Sequence, residues 1–414
     1  MPEAGGEFVF LKNAYGRVWG FLYGWMLIFV GKTGAQASVA VAFAIFLNDF
    51  LEGMLKKTLV HTEIFGYQYE LTSLQIIAVM MIVIITTINC ATVAVSGQLA
   101  TILTVVKIAL IILIGAGAVF LASGSFSHFA LVETGGACEG VADAVHYGLP
   151  GYSFTAGFGA AMLGALWGYD GWNNLTLVAG EIKNPQRNIP LALIGGTIVI
   201  IVLYIFVNLA YFYVLTPTEI ANVSKDSSVA KEVAVRFLGT GALVLMTAGL
   251  MGSSIGTLHT SILTGARVPY AMAQDGAFFK KFGELSKATR VPIVALIVQG
   301  IWACLLALSG SFDTLTDYVI FGSWIFYALA TASVFVFRRT MPDAARPYKT
   351  FGYPVVPILF LLAAGWLLIN TMITAPVQSF AGIFLILIGL PIYYFITRNN
   401  PPASAENNLT EDEQ

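Results

Sequence analysis

The stretch Leu166–Pro190, "LWGYDGWNNLTLVAGEIKNPQRNIP", decides how the rest of the chain is read. It closes a long apolar run, yet it carries glycines at 168 and 171, an aspartate at 170 and paired asparagines at 173 and 174. Glycine permits non-helical φ/ψ, and an aspartate side chain competes for backbone hydrogen bonds. Together they predict an unwound point. A helix that simply ends near Trp167 is the plainer reading. Against it, "NNLTLVAG" continues for two more turns before "EIKNPQRNIP", whose prolines and charges form the true turn. The break is therefore read as internal to the segment.

The composition says what kind of segment this is. The chain of 414 residues is 57% hydrophobic and 11% charged, with a mean hydropathy of +0.79. A soluble domain carries about a quarter charged residues. Here the charges gather between apolar runs of roughly 20 residues, each long enough to cross a hydrocarbon layer of about 30 Å as a helix. The expected fold is an all-α polytopic membrane protein; the short alternating segments of a β-barrel are not visible. Irregular backbone at membrane depth is tolerated only where it lines a cavity or is buried in protein. There, freed carbonyls can bind an ammonium and freed N–H groups a carboxylate.

Other classes are disfavoured. The net charge of -2 says little about partners, because in a membrane protein the distribution matters more than the sum, and no nucleic-acid partner is expected. Cys90, Cys138 and Cys304 are too few and scattered for a disulfide framework or metal site, and His61, His128, His146 and His259 share no metal-ligand spacing. No metal or cofactor is expected. Met1 to Arg17 is polar and shows no secretory signal.

Apolar runs separated by polar breaks give about ten spans, near 18–45, 73–94, 98–122, 152–180, 189–215, 240–264, 292–309, 314–337, 353–373 and 378–397. The segment Arg267–Arg290 is too polar to span and reads as an interfacial helical loop, and 399–414 as a disordered tail. If Met1 to Arg17 lies inside, 14 basic residues fall in inside loops. Only Lys56, Lys57, Lys225, Lys231 and Arg236 fall outside. This asymmetry places both termini in the cytoplasm and agrees with an even number of spans.

Lys32, Lys107 and Asp170 are ionisable residues inside apolar runs. A lone charge at mid-bilayer costs at least ~2.5 kcal/mol on insertion scales, so each should face a partner or a wet cavity. Lys107 sits about two and a half turns into its span, deep for snorkelling, and its ammonium could take the place of a bound sodium ion. Lys32, beside Thr33, Gly34 and Gln36, fits close packing and cavity lining equally. In "MGSSIGTLHTSILTGAR" (Met251–Arg267), Ser253, Ser254, Thr257 and Thr260 either bond their own helix or line the same cavity. Gly322, Ser323 and Trp324 interrupt an aromatic span and are a third candidate.

These residues carry a resemblance. "WGYDGWNNLTLVAGEIKNPQRNIPLAL" resembles the sixth helix and following loop of the amino acid–polyamine–organocation superfamily, with the L-type amino acid transporter branch nearest. "PEAGGEFVFLKNAYG" (Pro2–Gly16) resembles that family's segment between its second and third helices, and "GARVPYAMAQDGAFF" its loop after the eighth. The resemblance covers the chain up to the tail. It implies a broken-helix, inverted-repeat fold of the leucine-transporter type. In that fold the first and sixth helices unwind at mid-membrane and grip the α-amino and α-carboxyl groups of an amino acid.

By position, the resemblance makes Trp167 the aromatic gate and gives Gly168 and Tyr169 the backbone of the break. Asp170 lies within the break, and Asn173 is a polar contact just below it. Lys107 matches a lysine that occupies a former sodium site in sodium-independent members. Thr257 would face it, with Ser254 nearby, and Ser323 and Trp324 match positions near the pocket. Residues 1–398 would correspond to family helices three to twelve. The glycine-rich first helix, which should hold the substrate carboxylate, is not represented, through a wrong start or a truncation. The chain as given is then expected not to transport. Animal L-type transporters carry a cysteine between the third and fourth helices that bonds a heavy chain; the loop Asp49–Ser73 has none, so no disulfide-linked heavy chain is expected.

The leading functional expectation is a sodium-independent exchanger of neutral amino acids, working by alternating access in the cell membrane. The alternatives are a cationic amino acid or polyamine carrier using Asp170, a proton-coupled permease, and a non-transporting remnant or sensor. An intramembrane enzyme lacks support, because Asp170 has no partner acid in its span and His259 stands alone.

Overall fold

The computed structural model describes residues 5–64, 67–91, 96–131, 154–223, 227–239, 241–309, 312–344, 346, 348–374 and 376–399. The first helix, α1 (Glu7–Tyr15), is short and ends at Gly16, whose φ of 98° only glycine adopts readily. From there α2 (Arg17–Met26), a π-helical turn (Leu27–Gly31) and α3 (Lys32–Phe50) run as one span of 34 residues. The Thr33 hydroxyl donates to the Ile28 carbonyl at 2.7 Å, five residues back, which holds the wider turn in place.

An antiparallel hairpin follows, β1 (Thr58–Ile64) and β2 (Tyr67–Thr72). Hydropathy alone places this stretch in a loop between two spans. The β-branched and aromatic residues of the two strands favour it, and Tyr69 ties it down by donating to the Leu308 carbonyl at 2.9 Å.

Next come α4 (Ser73–Ala91), α5 (Ser96–Leu121), α6 (Phe154–Tyr169), the single turn α7 (Asn174–Leu177) and α8 (Pro185–Val214). Two short helices, α9 (Pro217–Ala221) and α10 (Val229–Leu238), precede α11 (Gly241–Gly265) and α12 (Arg267–Gln274). The chain closes with α13 (Ile293–Ser309), α14 (Phe312–Thr340), α15 (Val355–Thr374), α16 (Pro376–Leu387) and α17 (Gly389–Asn399). Helix therefore occupies each of the ten expected spans. Among the described residues, seven helices are long and apolar enough to cross a membrane. Arg267–Arg290 holds α12 and a 3₁₀ turn at Lys280–Gly283 rather than a span. Residues 400–414 of the expected tail lie outside the described residues, as does Cys138.

The span Arg17–Phe50 is the central post: 72% of its most apolar window is buried in protein, against none for Pro185–Val214, whose apolar surface is left for lipid. Phe8, Phe21, Tyr23 and Met26 form one core with Phe326 of α14. Ala37, Ala40 and Ala78 form a second with Leu258, Ile262 and Ala303, where small residues let α3, α4, α11 and α13 approach closely. A third joins Ile114 and Ala118 of α5 to Val207, Ala210 and Val233. α3 packs along α11, and this pairing forms one wall of the site.

Candidate functional site

The helix breaks where the glycines predict. α6 stops at Tyr169, and residues 170–173 form a turn in which Gly171 has φ 93°, a value that strains any residue with a Cβ. The Asp170 N–H bonds back to Trp167 and the Asn174 N–H to Gly171, both at 3.1 Å, so a tight turn joins α6 to α7. Beyond it, a 3₁₀ turn at Ala179–Glu181 and Asn184, with φ 49°, lead into α8 at Pro185. The break leaves the Gly168 carbonyl without a helical partner, and it accepts the Tyr204 hydroxyl from α8 at 2.7 Å.

A cavity of about 620 Å³ opens beside the break, bounded by α3, α5, α8 and α11. That volume lies in the range of small-molecule sites. Lys32, Lys107, Asp170 and Asn174 bring charge and amide groups to its walls, with Thr257 and Thr260 from α11; Leu103, Leu110 and Met246 supply apolar surface. Lys107 Nζ donates to Thr257 Oγ1 at 2.6 Å. Lys32, only 8% exposed, donates to Asn174 Oδ1.

A polar cluster braces the break from behind. Asn173 donates to Glu7 Oε1 at 2.6 Å, and Tyr23 donates to Glu7 Oε2 at 2.8 Å. The Tyr327 hydroxyl of α14 lies 3.3 Å from Asp170 Oδ1 and 3.4 Å from Asn173 Oδ1. One carboxylate in α1 thus ties together α1, α2 and the broken segment, and Tyr327 adds α14. Glu7 lies ahead of the first span; burial pushes its carboxyl above the ordinary range, and the bonds from Asn173 and Tyr23 hold part of that rise back.

The expected site residues separate into two groups. Trp167, Gly168, Asp170, Lys107 and Thr257 line the cavity together, and Lys32 joins them, so the lining alternative fits Lys32. The others stand outside its lining. Tyr169 packs edge-on against Tyr204 with centroids 5.0 Å apart. Asn173 is buried and faces Glu7. Ser323 is buried and hydrogen-bonds Tyr327, and Trp324 stacks on Phe360. Ser254 bonds the Leu250 carbonyl of its own helix. Thr257 and Thr260 do both things the sequence left open, bonding their own helix while facing the cavity.

Four residues of the assembly were not singled out from sequence: Glu7, Tyr23, Tyr204 and Tyr327. Glu7 sits in a polar stretch, where a carboxylate signals nothing unusual. The hint was Gly5–Gly6 ahead of it: a Cβ on Gly6 would come within 2.6 Å of Thr176 Oγ1, so this pair lets α1 touch α7. The tyrosines sit in aromatic runs where packing is the ordinary reading.

Among the described residues no group of three or more His, Cys, Asp or Glu could hold a metal. The arrangement offers bonding groups of both signs around an open cavity, which is chemistry for binding a zwitterion.

Comparison with known proteins agrees. The family described as amino acid permease matches residues 1–397. The b(0,+)-type amino acid transporter 1 of Mus musculus is 28% identical over 404 residues, covering 96% of this chain and 75% of that protein. The serine/threonine exchanger SteT of Bacillus subtilis (strain 168) is 29% identical over 397 residues, covering 95% and 82%. The large neutral amino acids transporter small subunit 2 of Mus musculus is 27% identical over 395 residues, covering 95% and 69%. A helix interrupted at Asp170–Asn173, an open cavity beside it and a family match along nearly the whole length lead to one conclusion: this chain belongs to the amino acid permease family.

Proposed function

We propose that the chain binds neutral amino acids in the cavity beside the α6 break and exchanges them across the cell membrane by alternating access, without sodium. The observation that carries this reading is Asp170 and Lys32 facing one cavity at a point of unwound backbone. Those groups complement the ammonium and carboxylate shared by all amino acids. The Lys107–Thr257 bond supports sodium independence, because it joins α5 to α11 through an ammonium, and Lys107 matches by resemblance a lysine that takes a sodium site in sodium-independent members. The relatives named for neutral and hydroxyl amino acids, and the one named as an exchanger, point the same way. The basic-residue asymmetry supports cytoplasmic termini.

The test is saturation binding of labelled alanine, serine, leucine and arginine to the purified chain in lipid nanodiscs, in sodium and in choline buffers. Saturable binding of a neutral amino acid, equal in the two buffers, is expected. No binding of any neutral amino acid sinks the reading, and sodium-dependent binding sinks its ionic part. Counterflow in vesicles then reads exchange. A second reading, a carrier of cationic amino acids, is favoured by the Asp170 carboxylate in the cavity wall; arginine bound more tightly than leucine would establish it.

A further inference from the structure

We infer that Lys32 determines which amino acids the cavity takes: its ammonium offsets the Asp170 carboxylate, so that the site accepts neutral zwitterions and turns cationic ones away. The inference rests on the binding reading above and adds to it the residue that sets side-chain charge preference.

Asp170 alone would favour a cationic side chain, since a half-buried carboxylate in a cavity wall attracts an ammonium or guanidinium. Lys32 removes that preference by position. The π-helical turn Leu27–Gly31, held by the Thr33–Ile28 bond, ends immediately before it, so the span is re-aimed at this residue. Its side chain is buried, lines the cavity and donates to Asn174, four residues along from Asp170.

Lys32 and Asp170 attract one another, yet among the described residues no ion pair within 4.0 Å joins them. The carboxylate therefore keeps accepting capacity for a ligand while its field is compensated. Among the described residues, the cavity wall also carries Lys107, and Glu7 stands behind Asn173. Counted as ions, these four groups are two of each sign. A zwitterion with an uncharged side chain leaves that balance intact, whereas a cationic one adds an uncompensated charge in a confined space. Removing the Lys32 charge leaves an excess of one negative charge that a cationic side chain would neutralise.

The experiment measures dissociation constants for labelled leucine and labelled arginine on the full chain in nanodiscs. Four variants are compared with the original chain: Lys32→Met, Lys32→Arg, Asp170→Asn and Lys32→Met with Asp170→Asn. Lys32→Met is expected to shift the arginine-to-leucine affinity ratio toward arginine by about tenfold or more, in line with the removal of one nearby charge. Lys32→Arg should keep the original ratio, and the double variant should return toward it, because charge balance is restored. A role for Lys32 confined to structure, or to the carboxylate that all amino acids share, would weaken both ligands together and leave the ratio in place.

The inference is overturned if Lys32→Met binds leucine with an unchanged ratio, or if the double variant keeps the full shift. If Lys32→Met does not fold, Asp170→Asn is compared with the double variant, and equal ratios in those two overturn it as well. Absence of amino acid binding to the original chain would overturn the underlying reading instead, and is seen before any variant is made.

Discussion

The Tyr204 hydroxyl donates to the Gly168 carbonyl at 2.7 Å, so α8, the least buried of the apolar spans among the described residues, reaches back into the break of α6 and takes up a backbone group that the break sets free. A carbonyl at membrane depth needs such a partner, because no solvent is at hand to supply one. The same hydrogen bond fixes one rim of the cavity, which Gly168 and Tyr204 line together. Stability and binding are therefore linked at this contact.

Tyr204→Phe keeps the ring against Tyr169 and removes only the hydroxyl. It is expected to cost about 1 kcal/mol of stability, the usual net value of one hydrogen bond. Binding of leucine should weaken several-fold, because the break loses a restraint on its geometry. Thermal unfolding in detergent and nanodisc binding read the two effects, and an unchanged melting temperature would show that the bond carries no stability.

Glu7→Ala leaves Asn173 and Tyr23 without their buried acceptor, and is expected to destabilise by about 2–3 kcal/mol. Glu7→Gln keeps one acceptor oxygen for one donor but turns its amide nitrogen toward the other, and should fall between the original chain and the alanine variant. Denaturation monitored by intrinsic fluorescence ranks the three. Equal stability of Glu7→Ala and the original chain would remove Glu7 from any bracing role.

Gly6→Ala is expected to cost roughly 1–3 kcal/mol. Its φ is 55°, and the new methyl would stand 2.6 Å from Thr176 Oγ1, so α1 must lift away from α7. Gly196→Ala in α8 is the control: nothing lies within 4 Å of its Cβ position, and the better helix former should leave stability equal or raise it by up to about 1 kcal/mol. Paired thermal melts check the contrast, and a harmless Gly6→Ala would contradict the close approach.

Acidity should weaken the short helices between α8 and α11. Glu219 accepts from the Thr216 N–H at 2.8 Å and from Arg236 at 3.0 Å. The Thr216 backbone bond, with Arg236 after it, holds its carboxyl below the ordinary value despite some opposing burial. A lowered carboxylate contributes stability above the ordinary value of 4.5, and that contribution is lost as pH falls through the lowered one. Glu219→Gln should therefore melt below the original chain at pH 7, and the gap should narrow as pH falls below 4.5, within the small range expected of an exposed pair. A gap that does not narrow with acid would refute a charge-based cap.

Much of this protein is legible in its sequence, for reasons that are local or compositional. The apolar runs specify spans because length and hydrophobicity suffice to hold a helix in hydrocarbon. "WGYDGWNN" specifies the break because Gly171 and Asp170 change what the backbone can do at their own positions. The hairpin at Thr58–Thr72 lies between two spans, where the hydropathy that marks spans says nothing about strand pairing. What no local rule supplies is which distant groups meet at the break. Lys32 lies 138 positions from Asp170 and Glu7 lies 166 from Asn173, and only the packing of α1, α3 and α14 around α6 brings them together. The sequence by itself determined a membrane-spanning helical chain with one interrupted helix, since those properties follow from hydropathy and backbone freedom. The tertiary structure alone decided that Asn173 turns to Glu7 while Lys32 and Asp170 face the cavity, because side-chain partners are set by helix rotation and long-range contact, which no local pattern of residues reveals.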